Sequence, residues 1–254
     1  MSHHVIEIKD LQYVYPDGNK AINEISFKLR HGESVGIVGA NGAGKSTLLM
    51  LILGIIFPAN GNISIGNIPV TKKTLPYIRE KVGMVFQDPD DQLFMNTVYD
   101  DVAFGPRNYK IDEEEVSKRV LKALETVGIL HLKDRAPYKL SGGEKRSASI
   151  AAILSMHPEI LIMDEPTTAL DPKSRRCLIN LLKSFDHTKI IASHDLDMVY
   201  ELCERTIILK DGRIIADGLT SELMINAELM EKCSLEIPLS IQNCPRCGSE
   251  KSHS

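Results

Sequence analysis

The chain has 254 residues, of which 43% are hydrophobic, enough to bury one substantial core or one core with a smaller subdomain. Its 30 lysines and arginines against 34 aspartates and glutamates give a net charge of -4, without the cationic excess of proteins that bind nucleic acid. The longest apolar run, residues 48–57, is much shorter than the ~20 residues that cross a bilayer. The first residues do not resemble a secretory signal, so we expect a cytosolic chain whose five cysteines are reduced thiols.

The amino-terminal part of the chain predicts antiparallel strands. Apolar and polar residues alternate around Ile6 and Ile8 and again around Phe27 and Leu29, which is typical of half-buried strands. Residues 62–65 predict an additional strand of the same kind.

A glycine-rich loop, GANGAGKST at residues 39–47, lies between the strand pattern ESVGIV and the apolar helix pattern LLMLILGIIF. Gly42 and Gly44 allow the backbone to curl, so that successive N–H groups converge on phosphate oxygens. Lys45 can reach the β- and γ-phosphates of a nucleotide, and Ser46 can bind magnesium. The loop therefore predicts a nucleotide site; the alternative is a turn that caps an ordinary helix.

The rest of the chain alternates strand and helix patterns. Apolar runs typical of parallel strands covered on both faces lie at residues 82–86, 160–163, 190–192 and 206–209. Helical periodicity lies at residues 113–127, 141–155, 172–184 and 196–202. Residues 88–139 lack strand patterns and predict a helical insertion, whereas the polar sequence after Asn226 predicts a loosely attached tail. We expect an α/β nucleotide-binding core.

Two further segments carry chemistry. EILIMDEPT predicts a buried strand that ends in Asp164 and Glu165, at the sheet edge where the phosphate loop is expected. Asp164 can hold magnesium through water and Glu165 can deprotonate an attacking water, the alternative being a solvated turn. LSGGEK, residues 140–145 and called the signature segment below, opens a helix with a serine cap and two glycines, again a surface for an anion. Because the chain already has one phosphate loop, this second surface is expected to serve the nucleotide of another copy.

With the phosphate loop, Gln87, LSGGE, LIMDEP, ALDP and SHD in this order, the chain resembles the nucleotide-binding subunits of ATP-binding cassette transporters over about residues 5–224. The resemblance implies an α/β fold, a P-loop NTPase parallel-sheet core with an N-terminal antiparallel β subdomain and a helical insertion. It also implies a cassette domain at residues 1–225, with a helical subdomain at about 88–148, and a C-terminal extension at 226–254.

The resemblance further implies that two cassettes stack head to tail and that each ATP, with Mg²⁺, lies between the phosphate loop of one and the signature segment of the other. The implied catalytic residues are Glu165 as base, His194 at the γ-phosphate, Lys45 and Gln87. The implied magnesium ligands are Ser46, Gln87 and Asp164. The implied ATP-binding residues are Tyr15, Gly39, Asn41, Gly42, Ala43, Gly44, Lys45, Ser46, Thr47, Ser141, Gly142, Gly143 and Asp171.

At two positions the residue that corresponds to the family pattern has to be chosen, namely the adenine contact and the basic residue after the signature segment. The family stacks adenine on an aromatic side chain from an early loop, and we choose Tyr15, with Tyr13 or plain strand packing as alternatives. Ser147 stands where many members carry arginine, so Arg146 is expected to take over that charge.

Residues 85–108, VFQDPDDQLFMNTVYDDVAFGPRN, are most similar to the ATPases of energy-coupling factor importers, the group that takes up cobalt, nickel and water-soluble vitamins, and the segment DLDMVYELCERTIILKDGRIIADG agrees. Those systems pair two such ATPases with a transmembrane coupling protein and a substrate-capturing membrane protein. The resemblance thus implies a peripheral protein on the cytoplasmic face of the cell membrane, in a homodimer or in a heterodimer with a second cassette ATPase. Residues 88–108 are expected to seat a helix of the membrane subunit, and the cargo stays open.

A competing interpretation is a soluble cassette ATPase that acts as a mechanical clamp in DNA repair, chromosome maintenance or translation. Such chains carry long heptad coils or two cassettes, and this sequence has neither pattern. A second is a metal-binding regulator built around the tail, with a degenerate cassette, which the intact Lys45, Asp164, Glu165 and His194 argue against. The tail itself offers soft metal ligands, and the alternative is a disordered end with free thiols. The candidate ligands are Cys244, Cys247 and His253, completed by Cys233, His3 or His4.

Overall fold

In a computed structural model of the chain, residues 4–185 and 187–242 are described, and they divide into two compact units. The first unit holds the chain up to Lys72 and from Ile190 onward, and the second holds Lys73–Lys189. The strands are β1 (His4–Val14), β2 (Lys20–Arg30), β3 (Ser34–Val38), β4 (Asn60–Ile65), β5 (Ile68–Pro69), β6 (Val82–Val85), β7 (Ile160–Asp164), β8 (Thr188–Ala192), β9 (Arg205–Lys210) and β10 (Arg213–Leu219). The helices are α1 (Lys45–Ile52), α2 (Leu75–Lys81), α3 (Val98–Asn108), α4 (Glu113–Thr126), α5 (Gly142–Leu154), α6 (Pro172–Lys183), α7 (Leu196–Leu202), α8 (Thr220–Leu223) and α9 (Ala227–Lys232).

The first unit contains an antiparallel sheet with the strand order β2-β1-β4-β5. Ile8 on β1 lies opposite Phe27 on β2 and Ile63 on β4, as the alternation predicts. The alternation is interrupted between Ile8 and Leu11 by a register shift, where Asp10 has a φ of 48°. This bulge keeps Ile8 and Leu11 both buried, although they are three residues apart. The expected antiparallel subdomain is confirmed.

The first unit also contains the strand order β10-β9-β3. All residues of β3 are buried, and β3 pairs in parallel with β9. β9 and β10 are joined at Asp211 and Gly212, whose φ values of 50° and 70° suit a two-residue hairpin turn. The strand expected at residues 206–209 is therefore confirmed.

Helix α1 differs from the apolar pattern at residues 48–57, because it begins at Lys45 and ends at Ile52. Gly54 adopts a φ of 62°, and its N–H donates to the carbonyl of Leu51. The next N–H, of Ile55, donates to the carbonyl of Met50, which completes a glycine-terminated helix end. The apolar residues after Gly54 are thus outside the helix.

The second unit combines a small parallel pair with a helical layer. β6 pairs in parallel with β7, and every residue of both strands is buried. Residues 88–139, all of them described, contain helices and no strand, as expected. Helices α3, α4 and α5 enclose a core of their own that includes Val102, Val116, Val120 and Ala148. The residues of β8 fall on both sides of the boundary between the units.

The chain from Asn226 to Gln242 packs within the first unit rather than extending loosely. Met230 and Cys233 are buried, and the Lys210 ammonium donates to the carbonyl of Lys232 at 2.7 Å. These buried side chains anchor the segment. The expectation of a loose tail was wrong here, because it rested on the polar composition of the whole stretch and not on its few apolar residues. Cys244, Cys247, His253 and His3 lie outside the described residues, as does the side chain of His4. Among the helices that are described, none has the length and apolar character to cross a membrane.

Candidate functional site

The glycine-rich loop leaves the end of β3 and enters α1 in the first unit. Gly42 and Gly44 have φ values of 81° and 104°, in the left-handed region that favours glycine. A Cβ on Gly44 would lie 2.6 Å from the carbonyl oxygen of Ala21, and a Cβ on Gly39 would lie 2.3 Å from that of Leu209. The loop therefore needs glycine at both positions, because neighbouring backbone approaches it so closely.

Lys45 points into this loop. Its side chain is buried, and its ammonium donates to the carbonyl oxygens of Gly39 at 2.9 Å and Ala40 at 3.4 Å. The ammonium thus lies inside the curve where a nucleotide phosphate is expected. The next residue, Ser46, is exposed, so its hydroxyl is accessible to a metal ion or a phosphate.

Tyr15 contacts the first turn of α1. Its hydroxyl is 3.0 Å from the Thr47 hydroxyl, and both residues belong to the first unit. The ring of Tyr13 meets that of Tyr15 edge-on, with centroids 5.0 Å apart. Of the two candidates for the adenine contact, Tyr15 is the one hydrogen-bonded to the phosphate-loop helix.

His194 follows β8 at the start of the loop before α7. The N–H of Ser193 donates to the carbonyl of Ile37 on β3 at 3.1 Å, which holds this turn beside the strand that leads into the phosphate loop. Asp195 caps α7 by accepting from the Met198 N–H at 3.0 Å. The His194 side chain is exposed.

In the second unit, β7 ends in two buried carboxylates. Asp164 is 5% exposed and Glu165 is 6% exposed, and Glu165 has a φ of 46°. A non-glycine residue in this conformation costs about 1–3 kcal/mol, and such strain is concentrated at functional sites. Adjacent buried carboxylates are costly unless a cation or hydrogen bonds compensate their charge. The oxygens of Asp164, Ser46 and Gln87 are the hard ligands that magnesium prefers, so these residue types fit the implied ion.

Gln87 lies just after β6 and is exposed. Its carbonyl oxygen accepts from Arg146 Nη2, and the carbonyl oxygen of Phe86 accepts from Arg146 Nη1, both at 2.5 Å. Burial lowers the pKa of Arg146 from its ordinary value. Arg146 therefore places its charge against backbone carbonyls at the start of the Gln87 loop.

The signature segment forms the start of α5. Ser141 and Glu144 form a capping box, in which the Ser141 N–H donates to Glu144 Oε2 at 2.7 Å and the Glu144 N–H donates to Ser141 Oγ at 3.4 Å. The hydrogen bond from the Ser141 backbone is the main reason that the pKa of Glu144 is lowered.

Asp171 is brought close to this helix start within the second unit. It caps α6 and accepts from the Ser174 hydroxyl at 2.5 Å. A Cβ on Gly143 would lie 2.8 Å from Ser174 Oγ and 3.9 Å from Asp171 Oδ2. The glycine of the signature segment is thus required by the packing of α5 against the start of α6.

Sequence reasoning missed Asp101 on α3. This carboxylate is 4% exposed and accepts from the N–H groups of Phe94 at 2.9 Å and Met95 at 3.0 Å. Burial is the main reason that its pKa is raised. The signal in the sequence is its position beside Val98 and Val102 on the apolar stripe of the helix, where a charged residue is unexpected.

No cluster of three or more His, Cys, Asp or Glu side chains suited to hold a metal ion occurs in the described part of the chain. Cys233, one of the candidates to complete the proposed tail site, is buried.

Comparison with known proteins identifies the family. The family described as ABC transporter matches residues 22–168, more than half of the chain. A Geobacter sulfurreducens protein named as an ABC transporter ATP-binding protein is 59% identical, and the match covers 98% of this chain and 100% of that protein. An energy-coupling factor transporter ATP-binding protein of Methanothermobacter thermautotrophicus is 46% identical over 92% of this chain and 77% of its own length.

Two solved structures share the fold. One is cbiO1 from Clostridium perfringens, described as part of the ABC transporter complex cbiONQ, with a TM-score of 0.81 and 41% identity over 91% of this chain and 94% of that chain. The other is a dimeric ATP-binding cassette in a post-hydrolysis state with ADP and Pi, with a TM-score of 0.78 and 30% identity over 85% of this chain and 98% of that chain. The α/β fold expected from the sequence is confirmed. The chain therefore belongs to the ABC transporter family and is an ATP-binding subunit that hydrolyses ATP.

Proposed function

We propose that this ATPase powers an importer of the energy-coupling factor type, which takes up a transition-metal ion, cobalt or nickel, or a vitamin. The observation that carries the proposal is the 46% identity to an energy-coupling factor transporter ATP-binding protein, over 92% of this chain. The likeness to cbiO1, which is part of an ABC transporter complex, supports it. The protein would act at the cytoplasmic face of the cell membrane, with a transmembrane coupling subunit and a substrate-capturing subunit.

In this proposal the phosphate loop, residues 39–47, holds the ATP phosphates, and Tyr15 stacks on the adenine. Lys45 already directs its ammonium into the loop, so it can exchange the loop carbonyls for phosphate oxygens. Ser46, Gln87 and Asp164 would hold Mg²⁺. When bound, the ion supplies positive charge that offsets the charge of the phosphate oxygens.

For hydrolysis we assign Glu165 as the base that takes a proton from the attacking water. Its burial and its strained backbone at the end of β7 support this role, because such strain is concentrated at functional sites. His194 would hydrogen-bond the γ-phosphate and steady Glu165. The remaining contribution is positioning and electrostatic stabilisation by Lys45 and by a second cassette.

The second cassette would be another copy of this chain or a close relative. Ser141, Gly142 and Gly143 would contact its ATP, and Asp171 would lie at the seam between the two cassettes. The dimeric state of the related cassette with ADP and Pi supports this pairing. We keep the division into a cassette at residues 1–225 and an extension at 226–254 as part of the proposal.

The proposed contact with the membrane subunit lies within residues 88–108. Phe94 is 64% exposed and Phe104 is 41% exposed, and their rings meet edge-on with centroids 4.9 Å apart. Paired exposed aromatic side chains are typical anchors for a partner helix. Asp101 fixes the backbone of Phe94 and so determines where this pair lies.

The experiment is purification of the tagged chain from membranes of its source, in mild detergent. We expect a hydrophobic partner to co-purify, and the Phe94→Ala, Phe104→Ala double variant to lose it. Tyr138→Ala is the matched control, because Tyr138 is a 77% exposed aromatic residue outside this surface. The complex, reconstituted in liposomes, is then tested for ATP-dependent uptake of Co²⁺, Ni²⁺ and vitamins. Recovery without any membrane protein would favour a soluble clamp instead.

A further inference from the structure

Arg146 connects two motifs that are far apart in the sequence. It is the fifth residue of α5, directly after the signature segment, and it is 2% exposed. Its two terminal nitrogens donate to the carbonyl oxygens of Phe86 and Gln87. The side chain therefore spans from the helix of one motif to the backbone of the other.

The burial of this guanidinium is not explained by an ion pair. Burial lowers its pKa, and Asp88 acts on it only through a longer-range charge effect. Its Nε atom is buried without a hydrogen-bond partner in the described part of the chain. A neutral side chain of similar size would avoid the cost of burying a charge, so packing alone does not account for arginine here.

Further hydrogen bonds hold the same loop against the same helix. Gln92 donates from Nε2 to the carbonyl of Ser149 on α5 at 2.8 Å, and its Oε1 accepts from the Phe86 N–H at 3.5 Å. The ammonium of Lys145 lies 2.6 Å from Asp90 Oδ1. Residues 86–92 are thus attached to α5 through three side chains, of which Arg146 alone contacts the backbone of Gln87.

The opposite end of this linkage is the start of α5. There Gly143 packs against Ser174 so closely that a Cβ would lie 2.8 Å from the hydroxyl oxygen. A helix is a stiff element, and Arg146 lies about one turn from the signature glycines. A displacement of the signature segment would therefore move the guanidinium and the carbonyls that it holds.

We propose that Arg146 is a positioning residue that fixes Gln87 relative to the signature segment. Through this contact, a displacement of the signature segment also displaces Gln87. This rests on the proposed function, in which the signature segment contacts the ATP of a second cassette and Gln87 serves the ATP of its own. Arg146 would then couple the two nucleotides of a dimer through one helix.

The first test uses hydrogen exchange of the isolated chain and is independent of any membrane partner. Arg146→Gln should raise exchange of the amides in residues 86–92 about tenfold or more, while amides of α4 stay unchanged. Arg119→Gln is the control, because Arg119 is paired with Glu115 on the surface of α4 and does not touch the loop. Unchanged exchange at residues 86–92 would overturn the proposal.

The second test is a double-mutant cycle of ATP hydrolysis. Gln87→Ala and Arg146→Gln should each lower kcat about 10- to 100-fold with little change in the KM for ATP, as is typical when a ligand loses its orienting partner. The double variant should be no slower than Gln87→Ala alone, whereas Arg146→Lys should recover part of the rate. Multiplication of the two single effects would contradict coupling through Gln87.

A further variant separates loosening of residues 86–92 from loss of the contact between Arg146 and Gln87. Gln92→Ala removes a neighbouring link without changing any charge, and it should loosen residues 86–92 in the same exchange measurement. If the protein lacks a membrane partner but passes both tests, the proposed transport role fails and the positioning role of Arg146 stands. If it transports but the cycle is multiplicative, only the inference about Arg146 fails.

Discussion

Several charged side chains of this chain are almost completely buried. Folding alone does not explain them, because an apolar side chain could fill the same space at a lower cost in free energy. Asp101, Arg146, Asp164 and Glu165 are between 2% and 6% exposed. Each would cost free energy to bury without compensation, so each must serve a hydrogen bond, an ion or a reaction. Motif spacing points to Asp164 and Glu165, but Asp101 follows Asp100 near the start of a helix, where aspartates are typically solvated.

Glu165→Gln removes one charge and keeps the shape of the side chain. We expect ATP to bind with nearly unchanged affinity and turnover to fall about 10²- to 10⁴-fold, because the general base is lost. Turnover is measured by phosphate release and binding by equilibrium titration. Glu159→Gln is the matched control, because Glu159 carries a carboxylate directly before β7, at the end of the strand opposite to Glu165. Glu159 pairs with Lys81. Near-normal hydrolysis by Glu165→Gln would exclude it as the base.

Asp101 should give a stability effect that depends on pH. Burial raises its pKa in the folded protein above the ordinary value of about 4, so the folded state holds the proton more tightly than the unfolded state. Its contribution to stability is therefore greatest below pH ~4 and declines as pH rises through the raised folded pKa. Asp101→Asn removes this titration, because the amide stays neutral.

The measurement for Asp101 is the free energy of unfolding in urea at several pH values. Relative to Asp101→Asn, the unchanged protein should lose stability as pH rises from about 4 through the raised folded pKa, and the difference in unfolding free energy should then become constant. Asp91→Asn is the control, because Asp91 is exposed and is not among the charges that act on Asp101. A difference between protein and Asp101→Asn that does not vary with pH would refute the effect.

At the scale of elements, the conformation of the loop between β3 and α1 depends on the backbone segments packed against it as much as on its own sequence. Gly39 and Gly44 face backbone carbonyls of Leu209 and Ala21, which come from distant parts of the chain. The same glycine-rich sequence could cap an ordinary helix. The close approach of these strands is what requires two positions to lack a side chain.

Gly44→Ala should destabilise the first unit by more than a positive φ alone explains. An added Cβ at Gly44 meets the left-handed penalty, about 1–2 kcal/mol, and also lies 2.6 Å from the carbonyl oxygen of Ala21. Gly18→Ala is the matched control, because Gly18 has a φ of 87° and no heavy atom within 4 Å of the new Cβ. Thermal or urea unfolding compares the two variants. Equal losses of stability would show that the close approach at Gly44 carries no cost.

At the scale of the whole molecule, the chain has one phosphate loop and one signature segment, which belong to different compact units. The proposed pairing of two cassettes supplies each ATP with one of each. The signature segment is presented at an exposed helix start, where Ser141 and Gly142 are open to a second molecule.

Dimerisation should therefore depend on ATP. We expect Glu165→Gln to form a stable dimer with ATP and Mg²⁺, measured by sedimentation or light scattering, and to return to monomer when the nucleotide is removed. Adding Ser141→Arg should prevent the dimer, because a bulky side chain would occupy the place of the partner's phosphate. A protein that stays monomeric under these conditions would contradict the pairing.

The sequence by itself determined the order of most strands and helices, the phosphate loop and the family, because these depend on local periodicity and on short motifs with fixed spacing. Helix α6 is an example, with its expected bounds at residues 172–184 and its observed bounds at Pro172–Lys183. The sequence pattern missed short elements such as α2, β10 and α9. The early end of α1 also has a local cause, because Gly54 terminates the helix. The apolar run continues past Gly54, and the sequence pattern therefore predicted a longer helix.

Only the tertiary structure decided which side chains meet across long stretches of sequence. The contact of Arg146 with Gln87 joins residues 59 positions apart, and the hydrogen bond of Tyr15 with Thr47 joins residues 32 apart. The anchoring of the chain after Asn226 also depends on neighbours that no local pattern specifies. The physical reason is that periodicity reports which face of an element is buried, whereas the partner on the other side is set by how the elements pack.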